Sequence, residues 1–87
     1  MPTVFIPPLA RDVTGGVAQV EVSGDTVAEV LDALEQRYPG LRARLCRGDS
    51  LVPGIQVCVD DVLTKAGLRA KLQPASEVHF LPAIGGG

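Results

Sequence analysis

Few side chains in this sequence have the chemistry to bind a metal or to attack a substrate. The candidates are two cysteines, Cys46 and Cys58, and one histidine, His79. The cysteines are not spaced as a CxxC pair, and the three residues supply three soft ligands, whereas a structural zinc site needs four that converge. We therefore predict no metal site and expect both thiols to be packing or surface residues.

The most unusual chemical feature is the end of the chain, where Gly85-Gly86-Gly87 precedes the carboxylate. At average glycine usage, such a run arises by chance in roughly three chains per ten thousand. It is either a linker remnant without function or a ribbon without side chains that enters a narrow channel of a partner. Extended, residues 82–87 span at most about 20 Å. Because each glycine costs about 1 kcal/mol more to order than alanine, the run favours the functional interpretation.

The composition is that of one small globular domain, with 87 residues of which 46% are apolar. The net charge is −2 and aromatic residues make up 3% of the chain, so we expect no nucleic-acid partner. No apolar run approaches the length of a membrane span, about 18 residues, and no signal peptide is visible, which predicts a cytoplasmic protein without a membrane partner. We expect no enzyme, because the sequence offers neither a cleft-sized domain nor a base–nucleophile pair.

Hydrophobic periodicity predicts an α+β scaffold with one main helix packed on one sheet. Thr26-Val27-Ala28-Glu29 fits a capping box, and the apolar spacing after it predicts a helix that ends at Tyr38-Pro39-Gly40. Strands are predicted at residues 3–6, 18–23, 55–59, 62–63 and 77–81, a further helical turn at 41–45, and a loop at 47–50.

Six segments before the terminal glycines are informative together: Phe5-Ile6-Pro7, Thr14-Gly15-Gly16, Gly24-Asp25-Thr26-Val27, Tyr38-Pro39-Gly40-Leu41, residues 55–59 and Glu77-Val78-His79-Phe80-Leu81-Pro82-Ala83-Ile84. In order and spacing, these segments resemble the ubiquitin-like sulfur carriers of the β-grasp fold, the MoaD/ThiS family, and look most like its cysteine-biosynthesis members. The resemblance implies a β-grasp domain over residues 1–81, with a mixed four- to five-stranded sheet, and a flexible, extended glycine tail over 82–87.

What the resemblance implies is a co-substrate that is not itself an enzyme. An E1-like adenylating enzyme would consume ATP to convert the Gly87 carboxylate into an acyl-adenylate, and a sulfur donor would displace AMP. The resulting thiocarboxylate would donate sulfur to a biosynthetic enzyme in a cysteine, molybdopterin, thiamine or secondary-metabolite pathway. The carrier would bind no cofactor and be a monomer when free.

The tail departs from the family pattern in one residue. Relatives more often end in Ala-Gly-Gly or Thr-Gly-Gly, whereas this chain ends in three glycines. Gly86 and Gly87 are therefore the matching pair, and Gly85 is an extra glycine that the tail tolerates.

Strand alternation identifies candidate docking residues beside the tail. If alternate residues of the last strand pack under the helix, then His79 and Leu81 face the other side of the sheet. His79 is then either a partner contact or a solvated histidine. Leu81, Pro82 and Ile84 form an apolar stem before the glycines, which either binds a partner or packs on the domain edge.

Two other functions are compatible with the sequence. A ubiquitin-like modifier would share the adenylation of Gly87 and then form isopeptide bonds with lysines. A plain interaction module would have no use for the terminal glycines.

Overall fold

The computed structural model describes residues 1–82 of the chain. It confirms the predicted α+β class, with a main helix, α1 (Val27–Arg37), and a short second helix, α2 (Leu41–Leu45). Short 3-10 helices occupy two of the connections, at Pro8–Ala10 and Gly67–Arg69. The strands are β1 (Thr3–Phe5), β2 (Gln19–Glu21), β3 (Cys46–Arg47), β4 (Ser50–Leu51), β5 (Ile55–Val59), β6 (Val62–Thr64) and β7 (Glu77–Pro82).

The main sheet is mixed and has five strands in the order β2-β1-β7-β5-β6. β1 and β2 form an antiparallel hairpin, as do β5 and β6. β7 joins the two hairpins, because it pairs parallel to β1 and antiparallel to β5. The last strand in sequence is thus the central strand in space. A parallel pair needs a crossover connection, and here the chain that contains α1 supplies it.

Helix α1 begins where the capping pattern predicts it. The backbone nitrogen of Glu29 donates to Thr26 Oγ1 at 3.2 Å, and the Glu29 carboxylate accepts from the backbone nitrogen of Asp25 at 2.8 Å. The first bond satisfies an N–H group that the start of a helix leaves unpaired, and the second ties the Glu29 side chain to the residue before the N-cap. The predicted apolar stripe is fully buried and consists of Val27, Val30, Leu31 and Leu34.

The turn from β2 into α1 explains the glycine at position 24. A Cβ atom there would lie 2.7 Å from Val30 Cγ1 and 2.8 Å from the backbone nitrogen of Val30. The backbone of α1 cannot move away from such an atom without shifting the buried apolar stripe, so a larger residue at position 24 would displace the helix.

Residues 47–50, predicted to be a loop, instead belong to a small hairpin. Cys46 pairs with Leu51 and Arg47 pairs with Ser50, while Gly48 adopts a positive φ of 65° in the turn. Two residues on each strand are too few to produce a detectable alternation, which is why periodicity missed this hairpin.

Glu35 holds the joint between α1 and α2. Its carboxylate accepts from the backbone nitrogens of Gly40 and Arg42, both at 2.9 Å. Both hydrogen bonds favour the ionised carboxylate, the one from Gly40 more than the one from Arg42. They therefore lower the pKa of Glu35 below its usual value of 4.5. The joint therefore depends on an ionised side chain.

We expect the Glu35→Gln variant to be less stable than the wild-type protein at neutral pH. A lowered folded-state pKa contributes stability that is complete above the unfolded-state pKa and is lost as the pH falls through the folded-state pKa. The difference between wild type and variant should therefore shrink as the pH falls below 4.5. Urea unfolding of both proteins across this range measures it, and a difference independent of pH would contradict the role assigned to the charge.

Candidate functional site

The strand that leads to the terminal glycines, β7, lies between β1 and β5 at the centre of the sheet. Val78 and Phe80 are 0% and 3% exposed in the core that also contains the α1 stripe, whereas Leu81 is 42% exposed. The predicted alternation along this strand is therefore confirmed. Because the strands on both sides are hydrogen-bonded to it, β7 is a rigid support for the C-terminal residues of the chain.

The strand ends at Pro82, which pairs with Ile55 of β5. Pro82 is one residue beyond the predicted domain boundary at residue 81. The remaining residues of the predicted stem and tail, Ala83, Ile84, Gly85, Gly86 and Gly87, lie outside the described residues.

The start of β7 is anchored by the turn between β5 and β6. The Asp60 carboxylate accepts from Ser76 Oγ and from the backbone nitrogen of Glu77, both at 2.9 Å. Ser76 is buried and its hydroxyl oxygen in turn accepts from the backbone nitrogen of Gln73 at 2.8 Å. Asp60 and Asp61 both adopt positive φ values, 52° and 68°. The predicted strands at 55–59 and 62–63 leave these aspartates as their connection, but the sequence did not indicate that Asp60 anchors β7.

His79 is half-buried on the side of the sheet opposite the core. Its ring stacks on Phe5 of β1, with the ring centroids 4.1 Å apart and the planes 6° from parallel. The parallel pairing of β1 with β7 brings these two residues together, because Phe5 and His79 are register partners. His79 is thus not fully solvated, and stacking on Phe5 orients its ring on the sheet.

We call this side of the sheet the outer face. The apolar part of this face is a row of register partners, one on each of four neighbouring strands. In the order β1, β7, β5 and β6, they are Phe5, His79, Cys58 and Leu63. Leu63 is 54% exposed, and Leu81 lies one pleat closer to the end of β7. The full outer face consists of Thr3, Phe5, Gln19, Glu21, Gln56, Cys58, Leu63, Glu77, His79 and Leu81.

Two of the predicted docking residues, His79 and Leu81, lie on this face. Pro82 points to the opposite side, because alternate residues of a strand face opposite ways. The sequence did not identify Phe5 and Cys58 as the neighbours of His79, since periodicity assigns a side chain to a face without identifying the adjacent strand.

The two thiols have different environments, and both are free. Cys46 is buried in the core, and this burial raises the pKa of its thiol. Cys58 is half-buried on the outer face. Within residues 1–82, no group of three His, Cys, Asp or Glu side chains is placed to hold a metal ion.

One surface depression of the described part of the chain has a volume of about 450 Å³ and is lined by Glu35, Arg42, Ala43, Cys46 and Gly48. Another, of about 350 Å³, borders the outer face, because Gln56 and Leu63 contribute to its lining. Among residues 1–82 there is also no helix with the length and apolar character of a membrane span. The outer face is the candidate functional surface because it includes side chains of β7, the strand that leads to the terminal glycines.

The sequence and the fold are both similar to those of known proteins. The family model described as the ThiS family matches residues 4–87. The sulfur carrier protein CysO of Mycobacterium tuberculosis is 38% identical over 92 residues, which cover 98% of this chain and 97% of the relative. The family match includes the terminal glycines as well as the domain.

Solved structures place the fold among the β-grasp, ubiquitin-like proteins, as the resemblance implied. A chain of the Amycolatopsis orientalis BexX/CysO complex matches with a TM-score of 0.89 and 38% identity, covering 100% of both chains. The small archaeal modifier protein 1 of Methanosarcina acetivorans matches with a TM-score of 0.77 and 25% identity, covering 99% of this chain and 95% of that one.

Proposed function

Since the chain belongs to the ThiS family, we propose that it is a sulfur carrier whose reactive group is the carboxylate of Gly87. The observation that supports this most directly is the 38% identity to CysO across 98% of the chain. Sulfur carriers of this kind are donors rather than catalysts, so the chemistry is performed by partner enzymes. We place the protein in the cytoplasm, where ATP for its activation is available.

The chemistry needs activation because a carboxylate is a poor electrophile. In the first step, an oxygen of the Gly87 carboxylate attacks the α-phosphorus of ATP, which forms an acyl-adenylate and releases pyrophosphate. In the second step, hydrosulfide attacks the acyl carbon, and AMP leaves with the electron pair of the broken C–O bond. Loss of the remaining S–H proton to solvent gives a thiocarboxylate, whose sulfur is a nucleophile for the acceptor.

The partners belong to two classes under this proposal. One is an E1-like enzyme that adenylates Gly87, and the other is a biosynthetic enzyme that accepts the sulfur. A relative is known in a complex, namely that of BexX with CysO from Amycolatopsis orientalis. The similarity to CysO favours cysteine biosynthesis as the receiving pathway of this chain.

The domain's contribution is to present the terminus and to be recognised. β7 is held on both sides by hydrogen-bonded strands and at its start by Asp60. His79 and Leu81 lie on the adjoining outer face, and we assign them to partner docking. Pro82, which faces the other side of the sheet, and Ile84 belong to the apolar stem that the sequence predicts before the glycines, and we assign them to docking as well.

The test is direct chemical conversion of the purified protein. We expect that incubation with the activating enzyme of the same organism, MgATP and sodium sulfide replaces one terminal oxygen by sulfur, as measured by intact mass spectrometry. Omission of ATP should leave the mass unchanged. The proposal is wrong if the mass of this protein stays unchanged with an activating enzyme that does adenylate another carrier. It is also wrong if the same gain in mass occurs after Gly86 and Gly87 are removed.

Protein modification is a second candidate function, favoured by the similarity to the small archaeal modifier protein 1. It shares the adenylation of Gly87 but ends in an isopeptide bond to a lysine. Peptides branched at lysine with the terminal glycines of this chain, recovered after immunoprecipitation from cells, would distinguish it from sulfur transfer alone.

A further inference from the structure

One edge of the main sheet is left open by the described part of the chain. β6 is the last strand in the order β2-β1-β7-β5-β6, and within residues 1–82 no strand pairs with its other side. Its side chains include Val62 and Leu63, which are 65% and 54% exposed. An open edge with exposed apolar side chains is a template for pairing with a further strand.

The backbone groups that this edge offers belong to Leu63. Asp60 and Asp61 adopt φ values of 52° and 68°, as the two central residues of a type I′ turn do. They connect Val59 to Val62, which are register partners. The pair next to such a turn is hydrogen-bonded, and the next residue along each strand directs its N–H and C=O away from the other strand. The N–H and C=O of Leu63 therefore face the open edge.

The opposite edge of the sheet, β2, is partly covered. Val22 donates its backbone N–H to the backbone oxygen of Pro2 at 3.1 Å, so the carbonyl of the preceding residue, Glu21, faces away from β1. The Arg37 guanidinium donates to this carbonyl oxygen at 3.2 Å. A charged side chain thus occupies the β2 edge, whereas β6 has no such cover within residues 1–82.

The charges beside Leu63 determine which strand can pair with β6. Asp61 lies two residues before Leu63 and Lys65 two residues after it, and both are exposed. Neither forms an ion pair within residues 1–82. If a second copy of the chain pairs antiparallel about Leu63, residue 61 of each copy lies opposite residue 65 of the other. Each aspartate then faces a lysine, whereas like charges at these two positions would repel each other.

We propose that β6 pairs with β6 of a second copy, antiparallel and about a two-fold axis at Leu63, so that the two five-stranded sheets become continuous. The N–H of each Leu63 donates to the C=O of the other, and the two leucine side chains meet on the outer face. Val62 of each copy lies opposite Thr64 of the other, beside the depression of about 350 Å³ that Thr64 lines. Every contact is reciprocal, as an isologous dimer requires.

The dimer is weak and leaves the end of β7 uncovered in each copy. β6 has three residues, which bury far less than the roughly 800 Å² on each partner of a standard interface, so we expect a Kd on the order of 0.1–1 mM. Dilute protein then remains the monomer that the resemblance implies. Because the axis is perpendicular to the sheet, the two β7 strands run in opposite directions and end on opposite sides of the joined sheet.

Sedimentation equilibrium at protein concentrations below and above this Kd measures the association, and we expect the average mass to rise from that of the monomer toward that of the dimer. The variant Lys65→Glu places two carboxylates opposite each other at both ends of the pairing, so its Kd should rise about tenfold. The matched control is Lys71→Glu, because Lys71 is the other lysine of the chain, is exposed and lies outside β6. Its Kd should equal that of the wild-type protein.

A mixture of two variants tests the register of the pairing. Asp61→Lys should also weaken self-association, because two lysines then face each other. When Asp61→Lys is mixed with Lys65→Glu, opposite charges face each other at both positions, so the mixed dimer should form with a Kd close to that of the wild-type protein. Thermal unfolding should show that each variant is folded.

The proposal is overturned if the wild-type protein stays monomeric at the highest concentration, if Lys65→Glu and Lys71→Glu have equal effects, or if the mixture associates no better than its components. Hydrogen exchange of the Leu63 amide should slow as the concentration rises. Protection that is independent of concentration would show that another part of the chain covers the edge instead. None of these measurements uses the activating enzyme, so their failure is distinct from failure of the proposed function.

Discussion

Replacing Gly86 by alanine is expected to abolish formation of the terminal thiocarboxylate. Under the proposed function, the last residues enter a channel that admits a backbone without side chains, and a Cβ next to Gly87 widens that backbone at its narrowest point. The reaction requires the terminal carboxylate within about 3–3.5 Å of the phosphorus that it attacks, and a displacement of 1 Å can cost about a hundredfold in rate. We therefore expect no detectable conversion on the time scale on which the wild-type protein is fully converted.

The matched control for Gly86→Ala is Gly85→Ala. It adds the same methyl group one residue earlier, where the resemblance to carriers that end in Ala-Gly-Gly indicates that a side chain is tolerated. Intact mass spectrometry after reaction with the activating enzyme, MgATP and sulfide should show conversion of this variant at close to the wild-type rate. Equal rates for the two variants would refute a channel that is selective at the last two positions.

The largest expected effect on stability follows from removing Leu31 from the core. Leu31 is 0% exposed in the centre of the α1 stripe, and a buried Leu→Ala substitution typically costs about 2–5 kcal/mol. A domain of this size has a free energy of unfolding of about 4–13 kcal/mol in total. Leu31→Ala should lower the Tm by roughly 10–30 °C, which calorimetry or circular dichroism would measure.

Leu63→Ala makes the same chemical change on the outer face and is the control for Leu31→Ala. Because Leu63 is 54% exposed, its truncation should alter the free energy of unfolding by no more than about 0.5 kcal/mol. A loss at Leu63 comparable to that at Leu31 would show that β6 is part of the core, contrary to the burial described above.

Local patterns were sufficient for the helix and for the face of each strand. The hydroxyl of Thr26, the carboxylate of Glu29 and the apolar spacing after them determine α1, because helix contacts join residues three and four positions apart. Alternation along β7 likewise predicted that Val78 is buried and that Leu81 is exposed. The order and spacing of these pieces, with the terminal glycines, were also enough to indicate the family.

The grouping of residues on the outer face was decided by the tertiary structure. Strand pairing is made by backbone hydrogen bonds between distant parts of the chain, and these bonds carry no signature in the side-chain pattern. Only the insertion of β7 between β1 and β5 places His79 against Phe5 and Cys58. Strand pairing also sets Glu21 and Glu77 on either side of Thr3, so the charge pattern of the outer face follows from topology, while the run of terminal glycines is a property of the sequence alone.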